Sequence, residues 1–173
     1  MDQHEDRQAE ETEHTGTTTP AGSPTLEQSM EALVLLEVWR ILSSREMMEA
    51  DDWVMDYFAA RSLEESRAKY PRGSEEAYRR DKVASFWELC GVLASSGLVN
   101  TERFINAFGG HPRTRWRVYE PMFRSARHEP GRPEARRRAA HFEWLAAMCE
   151  RQTREQAKLA EQATGDEAAT ATE

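Results

Sequence analysis

The sequence has only two cysteines, no pair of histidines at metal-ligand spacing, no glycine-rich phosphate loop and no apolar run that reaches bilayer length. Each absence removes a class of function. Cys90 and Cys149 lie in apolar helical patterns without a CxxC partner, so they read as buried thiols of a reducing compartment. His4, His14, His111, His128 and His141 make no HxxxH motif, and neither cysteine has a histidine three or four residues away, so no metal site is expected. Gly109-Gly110 has neither a strand before it nor a lysine after it. No GxSxG elbow occurs, and no cofactor is expected. The longest apolar stretch, Ala32 to Leu42, is broken by Glu37 and Arg40 and falls short of the roughly 20 residues that span a membrane. The N-terminus has no basic start followed by an apolar run, so a secretory signal is not expected and the expected location is the cytoplasm.

What is present favours helices. Ala, Glu, Arg and Leu are abundant, β-branched runs are few, and most glycines fall between apolar segments. The fold class this implies is all-α, a single-domain bundle of five to seven helices with disordered acidic termini. Residues 1–24 read as an acidic tail, 25–155 as the bundle, and 156–173 as a polar helix end that frays. Roughly 130 residues suffice for one hydrophobic core but not for two. The net charge of −8 divides unevenly along the chain. Residues 1–24 carry −5, residues 25–100 carry −5, and residues 111–140 carry +6. Such asymmetry suits one half of a bundle docking on the other.

Helical periodicity places the elements. Ser23-Pro24 reads as the entrance to a first helix that reaches about Ser44, with Leu26, Met30, Leu33, Val34 and Ile41 as its core stripe, Leu35, Val38 and Leu42 alongside, and Glu37 near the middle of it. A second helix follows from Arg45 to about Ala60, stacking Trp53 over Tyr57. Ser62-Leu63-Glu64-Glu65 has capping-box form and opens a short helix that ends before Tyr70-Pro71. The stretch from Asp81 to Gly110 holds the central helix, where Val83, Phe86, Trp87, Cys90 and Leu93 form a stripe that Leu89 and Val92 widen toward the whole circumference. Gly97 should close that helix in the left-handed conformation, with Leu98 folding back. Gly91 within it marks a close helix crossing. Asn100 or Thr101 caps a helix carrying Phe104, Ile105 and Phe108. A further helix from Pro112 contains Pro121, and the last runs from about Pro133 to Ala163.

With the helices laid out, the order of landmarks resembles a family of small prokaryotic proteins called domain of unknown function 4760. The resemblance rests on Trp39, Phe86-Trp87-Glu88-Leu89, the Gly97 turn, the Phe104 to Phe108 helix, the Trp116, Pro121 and Arg127 spacing, and Phe142-Glu143-Trp144-Leu145. It implies no activity. Members often begin with a membrane helix, which this sequence does not show, so no membrane association is expected.

Three functional readings compete. Glu88 and Glu143 each sit beside a tryptophan on a core helix, and if Arg127 reaches both they form a buried polar network, structural in one reading and a hydrolase-like site in another. Nine arginines between Arg113 and Arg138, interleaved with Trp116 and Tyr119, offer phosphate neutralisation and base stacking as a nucleic-acid face. An interaction or regulatory module, non-enzymatic, with Trp53, Trp116 and Trp144 at the rim of a partner groove and Arg113, Arg117 and Arg124 beside them, is the leading reading. Its partner is a protein that the sequence does not identify, and a second copy of the chain is among the candidates.

Overall fold

The computed structural model describes residues 24–128 and 138–170, with side chains up to residue 163. Seven helices and no strand occur among the described residues: α1 (Leu26–Leu42), α2 (Arg45–Tyr57), α3 (Leu63–Lys69), α4 (Glu75–Ser95), α5 (Thr101–Phe108), α6 (His111–Arg127) and α7 (Ala140–Thr170). The acidic tail, Ser23 and the prolines after His128 lie outside the described residues, and the cap expected at Ser23 is supplied by Thr25 instead, which leaves Pro24 outside the helix.

Where a helix opens, a side chain usually accepts the orphan amides of its first turn. Thr25 caps α1 in a reciprocal capping box with Gln28, and Ser44, Ser62, Ser74 and Asn100 cap α2, α3, α4 and α5. At Ser62 the box closes one residue early, because the Glu65 carboxylate accepts from the Arg61 N–H at 2.7 Å. α4 ends as expected, with Gly97 at φ +77°. The residue that folds back is not Leu98, which is exposed, but Val99, whose N–H reaches the Leu93 carbonyl at 3.3 Å and whose side chain is buried.

α4 is the hub. It packs on α7, α2 and α5, and Val83, Phe86, Trp87 and Cys90 fill the centre with Phe104, Tyr119, Phe142 and Leu145. The closest crossing falls at Gly91, where an added Cβ would sit 2.2 Å from the His141 carbonyl oxygen. Only a residue without a side chain lets α7 approach that far. Leu89 and Val92 stay exposed, so α4 buries most of its surface but not the full circumference that its composition suggests.

Electrostatics tie the halves together in the sense expected from the charge asymmetry. Arg115 of α6 forks onto Asp51 of α2, with their side chains 16% and 11% exposed. Tyr119 donates its hydroxyl to the Arg80 carbonyl at 2.8 Å. Both cysteines are free and buried. Burial pushes the Cys90 thiol up to about 12 and the Cys149 thiol to about 11.

Candidate functional site

The candidate polar network divides in two. Arg127 reaches Glu143 at 2.7 Å and lies over the Trp116 ring at 6.0 Å. Glu88 is engaged elsewhere, since its two carboxylate oxygens accept the backbone N–H groups of His141 (3.4 Å) and Phe142 (2.8 Å). The cause is local. α7 starts after Ala139, which has φ +55° and no side-chain acceptor, so its first amides are satisfied from α4 instead. His141 in turn places Nδ1 2.9 Å from the Ser95 hydroxyl. These contacts clamp α7 onto α4 around Gly91, and Glu88 and Glu143 are each held by a different partner.

The candidate tryptophans point largely inward. Trp116 is buried, stacked on Phe123 at 5.9 Å and edge-on to Phe142 at 5.2 Å. Trp53 is half-buried and meets Tyr70 edge-on at 5.3 Å, whereas Tyr57, its expected stacking partner, is exposed. Trp144 is half-buried against the core. The tryptophan that faces solvent is Trp39, 55% exposed, with one edge against Phe108.

Among the arginines of α6, Arg117 pairs with Glu150 (3.4 Å), Arg124 with Glu120 (2.7 Å) and Arg115 with Asp51. Arg113 is half-buried beside Gly110. Arg132, Arg136 and Arg137 lie outside the described residues. Arg138 stands with Arg67 and Arg72 on the rim of a groove floored by Leu63, Tyr70, Met122 and Phe123.

The largest departure from the sequence reading concerns α1. Three residues of its expected core stripe are exposed: Leu26 at 78%, Met30 at 56% and Leu33 at 66%. Leu36 and Trp39 join them on the outside. Val34 and Ile41 of that stripe, and Leu35, Val38 and Leu42 alongside it, do pack on the bundle, and Glu31 joins them there. A helix apolar on nearly every side gives periodicity no way to choose its inner face. Burial is chosen by Glu31, which accepts from the Asn100 amide at 2.7 Å and from Arg103 at 2.5 Å. The Asn100 N–H, with Arg103 beside it, holds the Glu31 carboxyl below its usual range. Glu37, expected at mid-stripe, lies outside and pairs with Arg40 at 2.6 Å, as its proximity in sequence allows. Leu98, 61% exposed, continues the apolar surface past Leu26 and Met30 across a shallow groove of about 870 Å³.

The model of a family described as Domain of unknown function (DUF4760) matches residues 29–149. The chain belongs to this family. No curated protein and no solved structure matches it. In this DUF4760 chain the match starts inside α1 and ends inside α7, so the outer face from Met30 to Trp39, the Gly91 crossing and the Glu88 clamp all fall within the family domain. Its aromatic landmarks have two fates. Phe86, Trp87, Trp116 and Phe142 build the core, while Trp39 stays at the surface. No helix among the described residues is long and apolar enough to cross a membrane.

Proposed function

We propose that this DUF4760 protein is a non-enzymatic interaction module that docks an apolar helix of a protein partner on the outer face of α1. One observation carries the reading: Leu26, Met30, Leu33, Leu36 and Trp39, each more than half exposed, spread over the half of α1 that the bundle leaves uncovered, and Leu98 lines a groove with Leu26 and Met30 at one edge of it. Soluble monomers rarely leave a contiguous apolar patch beyond a few hundred Å² uncovered. Covering a leucine or methionine is worth about 1.5–3 kcal/mol, and several such side chains offset the roughly 4–15 kcal/mol that association costs. The pairing of Arg115, Arg117, Arg124 and Arg127 with carboxylates supports this reading over a nucleic-acid face, since a paired guanidinium has less to gain from a phosphate. The engagement of Glu88 by backbone amides and Glu143 by Arg127 likewise supports structural roles for both.

The test is capture by the tagged full chain, with an untagged copy co-expressed, at low and high salt with and without nuclease. Wild type, Leu33→Glu and an Arg117→Glu/Arg124→Glu double variant run side by side. A protein, whether the untagged copy or another, should be retained through nuclease and salt by wild type and by the arginine variant, and lost from Leu33→Glu. Nucleic acid that disappears with salt and with the arginine substitutions would replace this reading by the nucleic-acid one.

A further inference from the structure

Resting on the reading of α1 as a docking surface, we infer that its occupant is the α1 helix of a second copy of this chain, packed antiparallel about a two-fold axis beside Leu33. A symmetric pair must use one patch that complements itself. In this register Leu33 meets its own counterpart, Met30 lies level with Leu36 of the second copy, and Leu26 lies along the aliphatic stem of the second copy's Arg40. Apolar groups then face apolar groups across the middle of a face that runs roughly 20 Å from Leu26 to Trp39 at 1.5 Å per residue, and at its ends Trp39 comes level with Glu27 and Leu26 with Arg40.

Charge selects the antiparallel sense. α1 has Glu27 in its first turn and Arg40 in its last. Antiparallel packing sets the acidic end of each helix beside the basic end of the other and opposes the two helix dipoles, whereas parallel packing stacks like on like. Within the face, Glu37 and Arg40 are already bound to each other at 2.6 Å, so the contact brings no unbalanced charge out of water. Size is compatible too. A stable interface draws about 800 Å² from each partner, and five large side chains on the helix with Leu98 at its flank supply most of that. A lipid surface fits less well, because interfacial helices carry lysine and arginine along their flanks, and α1 carries Glu27, Glu31 and Glu37 against Arg40 alone.

Sedimentation equilibrium of the full chain, from micromolar to hundreds of micromolar, tests the inference. Wild type should approach twice its 19.9 kDa, and Leu33→Glu or Leu33→Lys should raise the dimer dissociation constant about 100-fold or more. An equimolar mixture of the two variants should recover the dimer, because only an axis at Leu33 sets the new carboxylate against the new ammonium. Leu33 is exposed, so far-UV circular dichroism of both variants should match wild type. A wild type that stays at 19.9 kDa throughout, a Leu33→Glu protein that dimerises as well as wild type, or variants that fail to rescue each other would overturn it. A monomeric wild type that still retains another protein through Leu33 leaves the docking surface standing and removes only the second copy as its occupant. A monomer with no Leu33-dependent retention removes both.

Discussion

α1 and α4 are both helices with too many apolar residues for one stripe, and they end in opposite situations. α4 is met by α2, α5 and α7, and its surplus is absorbed into the core, apart from Tyr78, Leu89 and Val92. α1 touches the bundle along one side, chiefly on α2, and leaves Leu26, Met30, Leu33, Leu36 and Trp39 in solvent. Composition alone therefore does not make a hub. What distinguishes the two is coverage, and coverage depends on how near other helices can come.

That contrast can be broken most sharply at Gly91. Gly91→Ala forces a Cβ into the His141 backbone carbonyl and should cost about 4 kcal/mol in urea unfolding, above the usual range for overpacking because backbone rather than a flexible side chain must yield. A loss below about 1 kcal/mol, the size of an ordinary substitution, would mean that α7 does not cross α4 there. The next comparison sets the two helices against each other directly. Phe86→Ala on α4 should cost about 3–5 kcal/mol, while Leu33→Ala on α1 should stay within about 0.5 kcal/mol for the monomer. Equal losses would show α1 to be as covered as α4. Removing the α7 cap by Glu88→Ala should cost about 1 kcal/mol, the usual magnitude for a lost helix cap, and should speed amide hydrogen exchange at His141 and Phe142 first.

The smallest effect is a matter of pH. His111 stacks on Trp87, and partial burial, with Arg115 nearby, holds its pKa below the ordinary value of 6.5. The unfolded chain therefore takes up the proton first. Stability should be level above about pH 6.5 and fall as pH drops through the lowered folded value. A His111→Gln variant should show a flatter profile between about pH 7 and 5.

Most of the architecture was legible in the sequence because local rules set it. The Ser62 cap, Asn100, the left-handed Gly97 and the apolar stripe of α4 each depend on residues within a turn or two of one another. The close approach at Gly91 was legible for a related reason, since a glycine in mid-helix costs about 1 kcal/mol and calls for a packing explanation. The inner face of α1 was only half legible, since periodicity singles out Val34, Val38 and Ile41, which do pack inward, but adds Leu26, Met30 and Leu33 and passes over Glu31. It is decided by Glu31 meeting Asn100 and Arg103, residues far away along the chain. Glu88 is conspicuous in the sequence for its place beside Trp87, but its partner is hidden for the same reason. The need for a remote cap arises only because Ala139 offers none, and no spacing pattern links Ala139 to Glu88. The solvent-facing tryptophan was equally out of reach, because Trp39 and Trp116 have similar neighbours in sequence and differ only in which helix lies over them.

The two free thiols turn this packing into a clock. Cys90 and Cys149 sit on α4 and α7, the two helices of the main interface, and their raised pKa values leave almost no thiolate at neutral pH. An alkylating reagent reacts with them only after the helices part, so the rate of labelling measures how often that interface opens. Self-association through α1, which packs chiefly on α2, should slow that rate only by stabilising the whole molecule.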